Sequence, residues 1–337
     1  MPIKDIKKIK KISVKIEKSC IIKVYMELKN KKIWVAGHNG LVGSSICEKL
    51  MFEDCKILKI DRAKLDLMNY ERVHQWMSKS KPDIIILAAA RVGGINANKS
   101  FPANFITENL VIQTNVIRLA HELKVEKLIF LGSSCAYPIS SNPLKESDLL
   151  TARPEPTNQA YAIAKIAGIE MCNAYQKQYK NEFISILPSN LYGENDNFSE
   201  KVGHVIPALI SKIDRAKEKN EKSVEIWGTG KPLREFLHID DFSDALIFLI
   251  KQKFSYSTIN VGSGHEISIK NLAKLIAKNI NFKGKITFND KFPDGVMRKF
   301  LDSSKLLNLG WKRKINLDTG IKRLYKWYKE NEKNVKK

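Results

Sequence analysis

The sequence predicts an α/β protein built on a doubly wound parallel sheet. Short runs of apolar and β-branched residues alternate with amphipathic helical patterns through the first 190 residues. A glycine-rich turn lies between the first apolar run and the first helical pattern. Because repeated strand–helix units place helices on both faces of a parallel sheet, we expect ligands to bind at the carboxyl ends of its strands.

The predicted elements follow one another in a regular order. Each predicted strand is a short apolar run, and each predicted helix has apolar residues three and four positions apart. The predicted strands are 32–36, 56–60, 83–88, 127–131 and 183–187, and the predicted helices are 44–52, 70–78, 111–123 and 161–179.

The turn after the first strand has the features of a dinucleotide-binding loop. Glycines at 37, 40 and 43 permit a tight turn, a close approach of the backbone to a pyrophosphate, and close packing of the following helix. The helix N-terminus offers free N–H groups and partial positive charge. The order strand, glycines, helix predicts a Rossmann domain whose cofactor contacts Gly37, His38, Asn39, Gly40, Leu41, Val42 and Gly43.

Small and polar residues follow the next strands of the predicted sheet. Because they would lie at its carboxyl edge, we expect them to let the cofactor pass close to the backbone. This set consists of Ala89 after the third strand, Leu131, Gly132, Ser133 and Ser134 at the end of the fourth, and Pro188, Asn190 and Leu191 after the fifth.

Tyr161 and Lys165 are four positions apart on a predicted helix and therefore share one face. A nearby ammonium lowers the pKa of a phenol, so we expect Lys165 to make Tyr161 a proton donor and acceptor near neutral pH. With Ser133 to orient a carbonyl, this set is suited to moving hydride between a nicotinamide and a carbonyl. A solvated helix face is the commoner explanation of a YxxxK pattern alone.

The choice between NADPH and NADH is left open by two neighbouring residues. Asp61 follows the second strand, where an acidic residue accepts the ribose hydroxyl of NAD and repels the 2′-phosphate of NADP. Arg62 is next in the chain and could bind that phosphate instead.

Eight further motifs run in order along the chain and resemble one family. The sequence is similar to the extended short-chain dehydrogenase/reductases and, among them, to the GDP-L-fucose synthases, from residue 31 to about 327. The motifs are residues 88–95, 132–138, 155–168, 190–193, 204–209, 227–230, 234–241 and 260–264.

The resemblance implies epimerisation of GDP-4-keto-6-deoxy-D-mannose at C3 and C5, followed by NADPH-dependent reduction of the 4-keto group. Epimerisation beside a ketone needs a base and an acid. By resemblance, Cys135 is the base and His204 the acid, and His204 also lies near the cofactor. Ser133 and Tyr161 stabilise the enolate oxygen, Tyr161 protonates the C4 oxygen, and Lys165 holds the ribose. Without the motifs, Cys135 would be interpreted as a buried hydrophobe and His204 as structural.

The resemblance also implies four substrate-binding residues and a domain organisation. Each of them also has a simpler interpretation: core packing for Trp227, surface charge for Lys212 and Arg234, and a plain Pro-Asp-Gly turn for Asp294. The substrate-binding residues are Lys212, Trp227, Arg234 and Asp294. The nucleotide domain comprises residues 31–190 and 235–262, a smaller discontinuous α/β substrate domain comprises 191–234 and 263–330, and helices 111–123 and 161–179 form a homodimer.

Composition argues against several other classes of protein. The 337 residues have a net charge of +22, but residues 1–32 hold eleven lysines against three acidic residues, a net of +8. Scattered lysines without an aromatic-rich basic stripe argue against a nucleic acid partner. Five cysteines without CxxC spacing predict a reducing cytoplasm and no metal site. The sequence contains no run of 18 apolar residues, so no transmembrane helix is predicted.

Residues 1–30 are a basic extension that the resemblance does not cover. Isoleucines recur there at roughly helical spacing, so a basic amphipathic helix on an anionic membrane is conceivable, without stable insertion. We favour the simpler interpretation that Met26 is the true start. The isoleucines are Ile3, Ile6, Ile9, Ile12 and Ile16.

Three alternatives to the main functional hypothesis follow from the same residues. A nucleotide-sugar 4,6-dehydratase or 4-epimerase shares the fold, but a dehydratase places an Asp-Glu pair where this chain has Ser134 and Cys135. A related GDP-keto-sugar epimerase/reductase, such as one of GDP-L-colitose synthesis, would use the same residues. A binding module derived from an inactive reductase is opposed by the intact Ser133, Tyr161 and Lys165.

Overall fold

A computed structural model of the chain describes residues 26–200, 203–332 and 335. The strands are β1 Lys32–Ala36, β2 Lys56–Leu58, β3 Ile84–Leu87, β4 Lys127–Leu131, β5 Glu182–Pro188, β6 Asn190–Tyr192, β7 Ser223–Trp227, β8 Leu233–His238, β9 Thr258–Val261, β10 Glu266–Ser268, β11 Lys285–Asn289 and β12 Arg298–Lys299. The α-helices are α1 Leu41–Leu50, α2 Tyr70–Ser80, α3 Ile95–Ser100, α4 Pro102–Glu122, α5 Gln159–Tyr179, α6 Val205–Glu218, α7 Ile239–Lys251, α8 Ile269–Ile280, α9 Ser304–Asn308 and α10 Leu317–Asn331.

Six strands form the central sheet in the order β2-β1-β3-β4-β5-β9, and every pairing is parallel. The strands β3 and β4 are buried along their whole length, as expected for a sheet covered on both faces. The predicted doubly wound parallel sheet is therefore confirmed. Its carboxyl edge brings the ends of β1, β3, β4 and β5 together.

Three hydrophobic cores hold the molecule together. One core packs α1 and α7 on one face of the central sheet, and a second packs α2, α4 and α5 on the other. A third core lies outside the sheet and contains residues of α6, α8 and α10. The aliphatic residues of the strands alternate between the first two cores, because neighbouring side chains of a strand point to opposite faces.

Each predicted strand and helix is present in the structure with the predicted type, but several begin or end at other residues than predicted. Helix α1 begins at Leu41 and not at residue 44, because Gly40 is its N-cap. Helix α4 begins at Pro102, nine residues before the predicted start, since proline fits the first turn of a helix. Strands β1 and β4 have the predicted bounds.

The remaining strands form two small sheets beside the central one. Strand β8 pairs with β6, β10 and β12, and β7 pairs in parallel with β11. Within the region predicted as the second domain, Leu301, Leu306 and Trp311 pack against the two cores of the central sheet. The domain boundaries at 190, 235 and 262 stay a prediction, which the separate third core supports.

Among the described residues, no helix is both long and apolar enough to cross a membrane. The amphipathic helix considered for the basic extension, and most of that extension, fall in residues 1–25, outside the part that the structure describes.

Candidate active site

The glycine loop between β1 and α1 is folded so tightly that side chains are excluded at two positions. Gly37 has a φ of 93°, and a Cβ atom there would lie 2.6 Å from the backbone nitrogen of Ala89. A Cβ atom on Gly43 would lie 2.1 Å from the carbonyl oxygen of Gly37. The loop backbone therefore packs directly against the end of β3, as a dinucleotide requires.

The N-terminus of α1 completes this surface. Gly40 caps the helix without a side-chain hydrogen bond, and the first turn contains no acidic residue. Leu41, Val42 and Gly43 thus open a helix whose first N–H groups and dipole suit a pyrophosphate. We call residues 37–43 together with Ala89 the cofactor cradle. Its shape fits a dinucleotide.

Asp61 is engaged by the cradle itself. Its carboxylate accepts a hydrogen bond of 2.8 Å from Asn39 Nδ2 and lies 3.3 Å from His38 Nε2. Arg62 is 78% exposed, and its guanidinium is 3.9 Å from Glu108. The acidic residue is therefore partly occupied by its neighbours, whereas the arginine is available to a phosphate.

The other residues predicted to line the cofactor lie at the ends of β3, β4 and β5. Gly132 accommodates the close approach of β5, since a Cβ atom there would lie 3.1 Å from Leu187 Cγ. Asn190 begins β6, and its amide donates a 2.7 Å hydrogen bond to the carbonyl of Glu235. The structure brings to this edge Ala89, Leu131, Gly132, Ser133, Ser134, Pro188, Asn190 and Leu191.

Tyr161 and Lys165 lie on α5, against the end of β4. Gly168 allows this contact, because a Cβ atom there would lie 2.3 Å from the Phe130 ring. The Lys165 ammonium donates a 2.7 Å hydrogen bond to the carbonyl of Leu131 and lies 5.9 Å from the Tyr161 ring centroid. Burial lowers the pKa of Lys165 to about 8.

The prediction that Lys165 lowers the pKa of Tyr161 is wrong for this structure. Burial raises the pKa of the phenol, the nearby Cys135 raises it further, and a hydrogen bond with Ser133 opposes both. The reason is geometric: the ammonium is bonded to the β4 backbone and not to the phenol oxygen. Tyr161 is therefore a neutral phenol near pH 7, which is the form that can donate a proton.

Cys135 lies in a short 3₁₀ helix directly after β4, and its sulfur contacts a lysine. The Lys299 ammonium is 3.2 Å from the Cys135 sulfur, and Ser133 Oγ accepts a 3.1 Å hydrogen bond from the Cys135 backbone N–H. Burial would raise the pKa of the thiol, but the charge of Lys299 and hydrogen bonds with Ser133 and Lys299 outweigh burial and lower it. The surroundings of Cys135 therefore make its thiol more acidic than a free cysteine.

His204 is the N-cap residue of α6, and its ring contacts a buried carboxylate. His204 Nδ1 lies 2.9 Å from Asp196 Oδ1, and Asp196 is 5% exposed. The hydrogen bond to Asp196 raises the pKa of His204, burial opposes it, and the charges of Asp196 and Cys135 raise it further. We call Cys135, Lys299, His204 and Asp196, the group that contains the predicted base and acid of an epimerisation, the epimerisation centre.

The four residues predicted to bind substrate lie on neighbouring elements. Trp227 is 59% exposed, and its ring stacks on Phe292 with the ring centroids 4.5 Å apart. The Lys212 ammonium lies 6.0 Å from the centroid of the Trp227 ring. Burial lowers the pKa of Arg234, whereas the charges of Asp294 and Cys135 raise it. Arg234 is thus within electrostatic range of both Asp294 and Cys135.

Asp294 is engaged in a turn. Its carboxylate accepts hydrogen bonds from the backbone and hydroxyl of Thr229. A structural role for Asp294 is therefore visible, and its substrate contact stays a prediction.

Sequence reasoning missed three residues of this site. Lys299 is 164 positions from Cys135, so no local pattern links them. Asp196 falls in a polar loop before α6, where an acidic residue carries no signal. Phe292 precedes the Pro-Asp-Gly turn, and its aromatic character next to a turn was the one available hint.

The fold and the site together define a nucleotide-cofactor-binding protein with the Ser-Tyr-Lys set of a carbonyl reductase. A family model, "NAD dependent epimerase/dehydratase family", matches residues 33–262, and the chain belongs to this family.

Similar proteins agree with this assignment. The chain is 50% identical to "Putative GDP-L-fucose synthase 2" of Arabidopsis thaliana, over 91% of this chain and 94% of that protein. It is 35% identical to a GDP-L-colitose synthase of Yersinia pseudotuberculosis, over 90% and 99% of the two chains. The crystal structure of a GDP-L-fucose synthetase from Naegleria fowleri bound to NADP superposes with a TM-score of 0.85 at 26% identity, covering 93% of this chain and 98% of that one.

Proposed function

We propose that the protein converts GDP-4-keto-6-deoxy-D-mannose to GDP-L-fucose, by epimerisation at C3 and C5 followed by NADPH-dependent reduction at C4. The observation that carries the proposal is the pair of contacts in one site, Lys299 with the Cys135 sulfur and Asp196 with the His204 ring. The pKa of Cys135 is lowered and that of His204 is raised. A thiolate and an imidazolium are the base and the acid that such an epimerisation needs.

In the epimerisation, the Cys135 thiolate removes the proton from the carbon beside the ketone. The imidazolium of His204 returns a proton to the opposite face of the sugar. Negative charge develops on the ketone oxygen in between, and the hydroxyls of Ser133 and Tyr161 stabilise it by hydrogen bonds. The raised pKa of Tyr161 is consistent with this role, because only a protonated phenol can donate.

NADPH, when bound, supplies the hydride for C4 of the sugar. Gly37, Gly40 and Gly43 let the backbone of the cofactor cradle meet the pyrophosphate, and Arg62 binds the 2′-phosphate. Asp61 does not exclude that phosphate, because Asn39 and His38 engage its carboxylate. During reduction Tyr161 gives its proton to the C4 oxygen, and Lys165 holds the ribose.

The substrate's nucleotide lies on the exposed side of the epimerisation centre. The exposed Trp227 ring offers a stacking surface, and Lys212 and Arg234 are positioned to bind the diphosphate. Asp294 orients this region through Thr229. We further propose a homodimer formed by α4 and α5, where Ile163 is 39% exposed, and a cytoplasmic location.

A related GDP-keto-sugar such as the precursor of GDP-L-colitose is the second candidate substrate. It would use the same residues, and the identity to a GDP-L-colitose synthase is lower than that to a GDP-L-fucose synthase. A 4,6-dehydratase is disfavoured, because Ser134 and Cys135 replace the acidic pair that dehydration uses.

The deciding experiment follows substrate in D₂O by NMR, with NADPH and in parallel with NADH. We expect deuterium at C3 and C5 and GDP-L-fucose as the product. In Cys135→Ala, we expect exchange at both carbons to fall by about 10²-fold or more, since a positioned base contributes that much. Exchange at the wild-type rate in this variant would show that Cys135 is not the base.

A further inference from the structure

Glu235 is a fully buried glutamate that the proposed chemistry does not use. It lies on β8 next to Arg234 and is 0% exposed. One carboxylate oxygen accepts a 2.7 Å hydrogen bond from the Gly264 N–H, and the other accepts a 3.0 Å bond from the Leu301 N–H. The carboxylate therefore joins two chain segments that arrive from different directions.

The surroundings of Glu235 are shaped around this carboxylate. A Cβ atom on Gly262 would lie 2.5 Å from Glu235 Oε1, so only glycine at position 262 allows this approach to the carboxylate. The donors to the carboxylate are uncharged, and burial raises the pKa of Glu235 while these hydrogen bonds oppose the rise. Glu235 has no ion pair among the residues that the structure describes, and burying an unpaired carboxylate is costly, which indicates a specific use.

The segment that Glu235 holds carries Lys299. Strand β12 has only two residues, and its pairing with β8 places Lys299 opposite Arg234. The hydrogen bond from the Leu301 N–H to the Glu235 carboxylate attaches the chain to β8 a second time, two residues after Lys299. The backbone on both sides of Lys299 is thus attached to β8, while its ammonium reaches the Cys135 sulfur.

We propose that Glu235 is a positioning residue that fixes the Lys299 ammonium beside the Cys135 sulfur. Glu155, His204 and Arg234 also act electrostatically on this thiol, and Glu235 holds none of them in the way that it holds the Lys299 segment. The inference rests on the proposed function only for its catalytic consequence. Glu235 touches neither substrate nor cofactor. It acts through the backbone of Leu301, and its effect is seen at a sulfur atom on another element.

The test is the titration of Cys135 in Glu235→Gln. A glutamine has one acceptor oxygen, and its NH₂ group would face one of the two backbone N–H donors, so one anchor is lost. Because alkylation rates follow the thiolate fraction, we expect the pH midpoint of Cys135 modification by iodoacetamide to move upward by about one unit, so that modification is about tenfold slower at pH values below both midpoints. Peptide mass spectrometry separates Cys135 from the other cysteines.

Asp241 provides a matched control. It is 1% exposed, and like Glu235 it accepts hydrogen bonds from two backbone N–H groups, those of Lys314 and Ile315, far from the thiol in the chain. We expect Asp241→Asn to lower Tm as Glu235→Gln does, yet to leave the Cys135 titration as in wild type. Lys299→Met, which removes the ammonium itself, sets the largest shift that loss of positioning can produce.

A Glu235→Gln protein that is destabilised like the control but titrates like wild type would overturn the inference. If the glutamine variant does not fold, Glu235→Asp keeps the charge and shortens the arm by one methylene. A smaller shift in the same direction then supports the inference, and an unchanged titration overturns it. The titration needs no sugar and no cofactor. Failure of wild-type enzyme to exchange C3 and C5 would therefore contradict the proposed function and leave this inference standing.

Discussion

The cofactor cradle takes seven of its eight residues from consecutive positions, whereas the epimerisation centre joins Cys135 to Lys299 across 164 positions. The cradle fits its ligand through the shape of its backbone, and a side chain is excluded at Gly37 and Gly43. The properties of the epimerisation centre depend instead on side chains and their charges. A site made of local backbone can be recognised from spacing alone, and a site made of distant charges cannot.

The largest expected effect concerns Tyr161, whose hydroxyl is hydrogen-bonded with Ser133 beside Cys135. We expect Tyr161→Phe to lower the rate of C4 reduction by about 10³-fold, because the phenol that protonates the C4 oxygen in the proposed mechanism is removed. NADPH affinity should stay within about threefold of wild type, since the phenol hydroxyl has no part in the cradle. Single-turnover NADPH oxidation and a fluorescence titration of NADPH measure the two quantities.

Tyr175→Phe is the control, because this tyrosine lies on the same helix and packs against His121 and Phe183 instead. Retained NADPH oxidation with the keto-sugar in Tyr161→Phe would remove Tyr161 from the reduction step. The cradle would then bind a cofactor whose hydride transfer does not depend on Tyr161.

The difference between the regions also explains what the sequence predicted. The order of the five Rossmann strands, the glycine loop and the Tyr161–Lys165 spacing follow from periodicity and local spacing, and the structure has them where expected. The direction of the Tyr161 pKa did not follow, because the i, i+4 rule gives a shared face and not the choice of partner. Lys165 is hydrogen-bonded to the Leu131 carbonyl, a backbone atom that spacing does not identify.

The choice of cofactor can be tested separately through Arg62, which lies outside the cradle. We expect Arg62→Ala to weaken NADPH binding by about tenfold and to leave NADH binding unchanged, because a charge-assisted contact to the 2′-phosphate is worth on the order of 1–2 kcal/mol. Isothermal titration with the two cofactors measures this ratio. Solvent deuterium exchange into C3 and C5 should be unaffected.

Arg72→Ala is the matched control, since Arg72 is an exposed arginine bonded to the carbonyl of Lys64. An equal loss of NADH and NADPH affinity in Arg62→Ala would mean that Arg62 supports the loop and does not read the phosphate. Asp61 would then be the residue to examine.

The smallest expected effect concerns Asp196 and has a definite sign. Asp196 raises the pKa of His204, so the imidazolium acid persists to higher pH than that of a free histidine. Asp196→Asn keeps a hydrogen-bond acceptor and removes the charge, so the pKa of His204 falls. The alkaline limb of C3 and C5 exchange should therefore move to lower pH by about one unit, with a loss of only a few-fold below it.

Asp214→Asn tests whether loss of a buried carboxylate alone has this effect, since Asp214 is 1% exposed on α6 and is bonded to Tyr325 and Lys329. An alkaline limb that stays in place in Asp196→Asn would mean that His204 is not the acid. The raised pKa of His204 would then be a property of a structural ion pair. The sugar carbon from which Cys135 removes a proton would then need another proton donor on its opposite face, and Arg234, whose guanidinium does not deprotonate in proteins, could not supply one.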